Sequence, residues 1–532
     1  MTQTRGADIL VRALAEAGTD TIFALSGNQI MPVFDACIDA GLRIVHTRHE
    51  AAAVFMAEAH AQLTGQIGVA LVTAGGGLAN TGGALFSASE SETPVLLLSG
   101  DSPVAQDRRG AFQEMDQLGV TSALTRLSLR ATRGDALADN LARALDAATA
   151  GRPGPVHMAL PFDVLNDPVP GDGTATAARL PEAAAAPDDI AKVAAALAKA
   201  KRPLVILGPA LNATRAPGLA ARLRARTGAP VVAMESPRGL KDPALGHISE
   251  LVPDSDLIVT LGKRIDFTLG FGAGEMGWIC VQSDPDEIAR AGRNLEERLH
   301  LAVETCPRAF AEALAAHDNA SPARAQWCRS VDDLIEERLS GPPEDGDGYI
   351  TSAGLCMAVQ AALAARSPAE TVAICDGGEF GQWAQAILRP DARVINGPSG
   401  AIGGGLPYAL GARAARPQAT IVAMMGDGTV GFHLPEFETA MRESLPFVVV
   451  IGNDRRWNAE HQIQLRNYGA ERLIGCDLSG ARYDLAAAGL GAHGEYVTLP
   501  EDLAPALERA FASGKPACVN VEITGLPAPS GH

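Results

Sequence analysis

The apolar residues of this chain change their period again and again. In "GADILVRALAEAG" (from Gly6) they recur every three or four positions, which predicts a helix with one buried stripe. "TIFAL" (from Thr21) is a short apolar run of strand length, and it ends in "SGNQ". "MPVFDACIDAG" is helical again, "RIVHT" is a strand, and "EAAAVFMAEAHAQLTG" is a long helix closed by Gly65. "GVALVTAGGG" and "TPVLLLSGD" are further buried strands, the first running into glycines. Buried strands alternating with helices predict a parallel sheet covered on both faces.

This rhythm breaks twice. "NDPVPGDGTATAARLPEAAAAPDD", from Asn166, is rich in Pro, Gly, Ala and Asp and predicts a linker. A second unit follows, with strands "PLVILG", "PVVAM" and "LIVTLG". After the breaker "SGPPEDGDG" a third unit carries "TVAICDGG", "TIVAMMGDG" and "FVVVIGND". The expectation is an α/β protein of three domains, each a mostly parallel sheet flanked by helices. They are placed at residues 1–165, 188–325 and 345–525, with the first linker over 166–187. The first and third share strands that end in glycine clusters, so two related domains should flank a middle one. Ligands of open α/β sheets bind beyond the carboxyl ends of the strands, where these glycines fall.

The chain has 532 residues, too many for a single core, which agrees with several domains. A net charge of -18 argues against nucleic acid or an anionic membrane as partner, because both need basic surface. No run of about 18 apolar residues spans a membrane, and the opening "MTQTRGADIL" shows no apolar signal region. The expected location is the cytoplasm. The eight cysteines form no CxxC pair and no zinc spacing with histidine, so they read as reduced thiols.

The strand "TIVAMM" stops at Gly426-Asp427-Gly428. A turn would explain Asp and Gly there. A second acid, Asp454, stands 27 residues later, directly after another apolar strand. Two such strand ends can meet on one edge of a parallel sheet. Paired carboxylates suit Mg²⁺ or Ca²⁺ better than zinc or copper, and Mg²⁺ held this way implies a phosphate ligand.

GDG followed at this distance by an Asn-containing turn is similar to the thiamine diphosphate motif. "HTRHEAAAVFMAEAHAQLTGQIGVALVTAGGGLAN" (from His46) resembles the pyrimidine-binding domain of the acetolactate synthase, benzaldehyde lyase and 2-hydroxyacyl-CoA lyase group. "GAFQEMDQ", "LGKRIDFTLGFG" and "GPSGAIGGGLPYALGA" also resemble segments of that group, in the same order along the chain.

The resemblance implies thiamine diphosphate and Mg²⁺ as cofactors. It implies that Glu50 hydrogen-bonds N1′ of the aminopyrimidine, although an acid opening a helix also satisfies the dipole. It makes Ile402 the bulky residue that props the bent cofactor. Glu379 and Phe380 align with positions whose backbone meets the diphosphate, and Gly426, Gly428 and Thr429 flank the metal residue Asp427. Asp454 stands where most relatives carry asparagine, and the carbonyl of Arg456 would be a third metal ligand. Phe112 and Gln113 match positions near the substrate, with Gln113 placed in catalysis. Asn28 and Gln29 lie where several relatives place histidine or another polar contact. Trp457, Asn458, Glu460 and His461 are expected to cover the site.

The activity implied is carboligation or lysis of a C–C bond beside a carbonyl, on a small 2-oxo acid or 2-hydroxy ketone. A 2-hydroxyacyl-CoA or oxalyl-CoA type lyase is the alternative; the chain stops at "VNVEITGLPAPSGH", which is read against closure over CoA. A non-catalytic nucleotide-binding paralogue is a further alternative, which the presence of Glu50 disfavours. No clean fingerprint for FAD stands in the middle domain, so FAD is not inferred. A homodimer with active sites at the subunit interface is expected, or a tetramer built from two such dimers.

Overall fold

The computed structural model describes residues 4–169, 184–317, 324–337 and 348–529. Most of the expected linker and of "SGPPEDGDG" lies outside the described residues. Three wholly parallel sheets form three units. The first sheet runs, edge to edge, Arg43–His46, Thr21–Ala24, Gly68–Val72, Val95–Asp101, Val156–Pro161, Ser128–Arg130. The third runs Ala392–Val394, Thr371–Cys375, Thr420–Gly426, Val448–Asn453, Ala517–Glu522, His493–Val497. Numbered within each unit, both follow the order 2-1-3-4-6-5, so the outer units share one connectivity. The middle sheet has five strands, Leu299–Glu304, Gly277–Gln282, Leu257–Leu261, Pro203–Leu207 and Val231–Ala233.

The central strands are buried along their whole length because helices cover both faces, as their unbroken apolar runs require. Edge strands such as Ser128–Arg130 and His493–Val497 are short or polar, and nothing in their pattern announces them. The middle unit extends past residue 325. Helix Ala325–Glu336 packs on it through Trp327 Nε1, which donates to the Pro203 carbonyl at 2.8 Å, and Arg224, paired with Asp332 at 2.6 Å. The first unit likewise runs on to Val169, whose N–H donates to the Thr4 carbonyl at 2.8 Å.

The outer units meet most closely at a helix crossing. Helix Glu50–Thr64 is buried from Ala51 to Leu63, on all sides. Helix Gly405–Ala415 lies against it so closely that a Cβ at Gly411 would stand 2.2 Å from the Met56 carbonyl oxygen. One apolar cluster therefore includes Phe55 and Leu97 of the first unit with Leu406, Met425 and Ile451 of the third. Polar groups trapped at the seam are paired: the Tyr408 hydroxyl donates to Glu58 at 2.8 Å, Ser91 donates to Glu58 at 2.6 Å, and Gln62 donates to the Ile395 carbonyl at 2.7 Å. Burial pushes the Glu58 carboxyl up to about 7. The crossing fixes both helix starts. Glu50 opens one helix, and the Ile402 loop leads into the other.

Gly411→Ala should force these helices apart, at a cost of about 1–3 kcal/mol, the range for overpacked cores. Urea unfolding would report it as a lower midpoint; an unchanged midpoint would show that the crossing has slack.

Candidate active site

Strands Thr420–Gly426 and Val448–Asn453 are neighbours, with Gly426 in register with Gly452. Asp427 comes one residue past that pair and Asp454 two residues past it, so both carboxylates reach the same sheet end. They line a cavity of about 270 Å³ together with Gly378, Ile402, Gly428 and Thr429. Asp427 is 2% exposed, and its Oδ2 has no hydrogen-bond partner. Asp454 Oδ1 accepts only a 3.2 Å bond from the Arg456 N–H. Burial first, then the Asp454 charge, pushes Asp427 up to about 7, and burial pushes Asp454 up to about 6. A buried acid with an orphaned oxygen beside a half-buried one that repels it could hold a hard divalent cation. Among the described residues no third His, Cys, Asp or Glu completes a metal cluster, which leaves coordination positions for phosphate oxygens and water.

Asn453 does not compete for this role. Its Nδ2 donates to Asn520 at 3.1 Å and its Oδ1 accepts from the Arg455 N–H at 3.3 Å. Arg455 is paired with Glu522 at 2.6 Å, whereas Arg456 lines the cavity and its charge favours ionised Asp454.

A third acid, Asp376, organises the glycine loop, and it escaped the sequence reading. It follows strand Thr371–Cys375, and its buried carboxylate accepts backbone N–H bonds from Gly377 (2.6 Å), Gly403 (3.0 Å) and Gly405 (3.2 Å). Burial pushes it up to about 6. Gly403 has φ +85°, and a Cβ there would meet the Phe432 ring at 2.5 Å, so only glycine fits. This loop carries Ile402 into the cavity against Gly377. The signal was present in "CDGG", a strand end of the same type as "GDG". Also missed was the middle unit's share of the lining, Ser236, Pro237 and Arg238.

The other expected residues divide. Glu379 and Phe380 line the cavity, Glu379 accepting from Gln382 at 3.3 Å and Phe380 packing over Gly452. Gly428 leaves room for the Trp457 ring, to which a Cβ would come within 2.6 Å. Trp457, Asn458 and Glu460 line the cavity. His461 is buried but is not part of the lining; helix Asn458–Tyr468 turns Ala459, Glu460 and Ile463 to the cavity instead.

A second group gathers at the carboxyl end of the first sheet. Glu50 accepts from Asn80 Nδ2 at 3.0 Å. A Cβ at Gly77 would stand 2.7 Å from the Thr73 methyl and 3.4 Å from Glu50 Oε1, so these side chains flank one glycine. Thr73 donates to Gln29 at 2.6 Å, and Gln29 donates to Gln113 at 2.7 Å. Phe112 is 74% exposed, and Asn28 is exposed as well. None of this group lines the cavity, whose walls come from the middle and third units.

Comparison with known proteins matches all three units. "Thiamine pyrophosphate enzyme, N-terminal TPP binding domain" covers residues 4–120, the "central domain" covers 190–314, and the "C-terminal TPP binding domain" covers 376–521. The chain is 31% identical over 535 residues to the probable acetolactate synthase of Mycobacterium bovis, spanning 96% of this chain and 94% of the relative. The same figures hold for the acetolactate synthase large subunit IlvG of Mycobacterium tuberculosis. It is also 31% identical over 552 residues to 2-hydroxyacyl-CoA lyase 2 of Homo sapiens, spanning 92% of this chain and 84% of the relative. With matching domains in matching order and relatives aligned along nearly its whole length, the chain belongs to the thiamine pyrophosphate (thiamine diphosphate) enzyme family.

Proposed function

We propose that this protein is a thiamine diphosphate- and Mg²⁺-dependent carboligase or lyase acting beside a carbonyl, with a 2-oxo acid or 2-hydroxy ketone as donor. The observation that carries it is the Asp427–Asp454 pair at the end of two register-matched strands, with Asp427 Oδ2 unpaired in a glycine-lined cavity. When bound, thiamine diphosphate would supply a carbon nucleophile that adds to the carbonyl and a cationic thiazolium ring that accepts the electron pair of the broken C–C bond.

The chain's own groups have distinct tasks. Asp427 and Asp454, with the Arg456 carbonyl, hold Mg²⁺ and through it the diphosphate. The N–H groups of Gly428 and Thr429 bind phosphate oxygens. Ile402, fixed by the Asp376-anchored loop, sets the shape of the cofactor seat. Glu50 holds and returns a proton at N1′, and Gln113 and Phe112 meet the substrate. This chain's own first-unit group does not line the cavity, which supports a reading in which Glu50 comes from a second copy. On that reading the protein is a homodimer with sites at the subunit interface, or a tetramer of two such dimers.

A second reading, a 2-hydroxyacyl-CoA or oxalyl-CoA type lyase, is favoured by the similarity to the human 2-hydroxyacyl-CoA lyase 2. Incubation with pyruvate alone, and with formyl-CoA plus benzaldehyde, separates the two. Product from pyruvate supports the first reading; product only from the CoA donor replaces it with the second.

Glu50→Gln should keep cofactor affinity and lose C2–H/D exchange of bound cofactor by ~10²-fold or more, since Gln cannot exchange the proton. Asp427→Ala should lose Mg²⁺ and with it the diphosphate. Mixing these two inactive variants under subunit exchange should restore up to about a quarter of parental activity, because a symmetric dimer then carries one intact site in the mixed species. No recovery on mixing, with exchange verified, would place both residues in one subunit's site.

Asp454→Asn should be tolerated, since an amide oxygen still ligates and removes repulsion from the diphosphate. Asp454→Ala should abolish cofactor binding at fixed Mg²⁺. Parental affinity in Asp454→Ala would remove Asp454 from the ligand set.

A further inference from the structure

Within the first-unit group, Thr73, Gln29 and Gln113 form a directed chain of hydrogen bonds that contains no acid or base. We infer that Thr73 and Gln29 are positioning residues which lock the Gln113 amide with its NH₂ toward the substrate. On this inference the first unit offers a substrate oxygen a permanently neutral donor. The inference rests on the function proposed above and specifies the part of it that meets the substrate.

Each link sets the next. A primary amide has one oxygen and one NH₂ group. The Thr73 hydroxyl donates to Gln29 Oε1 at 2.6 Å, which turns the Gln29 NH₂ away from Thr73. That NH₂ donates to Gln113 Oε1 at 2.7 Å, which leaves the Gln113 NH₂ at the open end. Such a chain polarises its members in one direction, so the last donor is stronger than an isolated amide. Gln29 is 5% exposed and backed by Gly100, where a Cβ would stand 2.8 Å from its own, so the base of its side chain is closely packed, and the Thr73 donor selects which way its amide faces.

The backbone around Gln113 is held as firmly. Gln113 has φ +60°, a left-handed conformation that costs a non-glycine residue energy. A Cβ on Gly75 would lie 3.1 Å from the Gln113 Cβ, so the glycine admits the loop at close range. The Glu114 carboxylate ties the same loop, accepting N–H bonds from Arg108, Gly110 (2.8 Å) and Ala111 (3.0 Å). These backbone donors, that of Arg108 foremost, hold Glu114 below the usual carboxylate range. The charged groups beside the chain include Glu50 across Gly77, Glu114 behind the loop, and Asp107 and Arg108, which act on Glu114; none of them is a member of it.

The chemistry such a donor recognises is an oxygen that gains negative charge: the carbonyl oxygen of an aldehyde or ketone becoming an alkoxide, or the reverse. A hydrogen bond that strengthens as this charge develops lowers the barrier. An imidazole at position 29 would make that donor depend on pH near neutrality; Thr73, Gln29 and Gln113 carry no such dependence.

The experiment uses whichever of the two donor mixtures above turns over, and measures kcat/KM across pH 5.5–8.5 for the parent and four variants. Gln113→Glu presents acceptors only and should lose ~10²-fold or more. Thr73→Val releases the chain and should lose about tenfold, whereas Thr73→Ser keeps the hydroxyl and should stay near the parent. For Gln29→His, the ratio of variant to parent kcat/KM should change with pH around about 6.5. Titration of thiamine diphosphate with Mg²⁺ on each variant separates loss of the fold from loss of the donor. Parental activity in Gln113→Glu, Thr73→Ser as impaired as Thr73→Val, or a flat Gln29→His ratio would each overturn the inference. C2–H/D exchange in the unaltered protein reports on the thiamine reading alone. Its absence sinks that reading, while its presence beside a fully active Gln113→Glu sinks only the hydrogen-bond chain.

Discussion

The two outer units are held to each other by the close crossing of helices Glu50–Thr64 and Gly405–Ala415. A glycine at 411 lets the Met56 backbone come where no side chain could stand. Apolar surface from both outer units then merges into one cluster. Close packing transmits position faithfully because a packed interior has few voids to absorb a shift. The crossing thus fixes where two helix starts stand in one chain: Glu50 at the start of one, and the Ile402 loop ahead of the other.

Electrostatic cost is concentrated where chemistry needs it. Asp376, Asp427 and Asp454 all stand at strand ends, and burial raises all three. Their partners differ. Asp376 is met by the N–H groups of three glycines and serves as an anchor. Asp427 keeps one oxygen without a partner and faces a second acid. An internal anchor satisfies itself, whereas a ligand pair is left open for an ion to complete. The same residue type at the same kind of position is thus separated into two roles by the backbone around it.

Much of this was legible in the chain. Val-, Ile- and Leu-rich runs that stop at glycine marked the central strands of each sheet, and two acids after two such runs gave the carboxylate pair. The limits are physical. Strand order across a sheet leaves no trace in periodicity, so the common connectivity of the outer units was suggested only by rhythm. Ser128–Arg130 and His493–Val497 lie at sheet edges, where half-burial permits polar residues. Asp376 acts on Gly403 and Gly405, and Arg238 reaches the cavity from another unit; neither relation has a local pattern. His461 lies off the cavity because the start of its helix at Asn458 fixes the phase of every later side chain. The Thr73–Gln29–Gln113 chain joins three separate segments, and only tertiary folding brings them together.

The helix crossing also has a history within the life of each molecule. Tyr408 meets Glu58 across 350 residues of sequence. A ribosome adding about 5–20 residues per second needs roughly 20–70 s to make that stretch. Throughout that time helix Glu50–Thr64, buried on all sides in the finished protein, exists without the helix that will cover it. The first unit can form its sheet early, but one face of it stays uncovered until the third unit emerges. Until then the unfinished chain presents apolar surface that the finished protein hides, and such surface is what makes incomplete chains prone to associate.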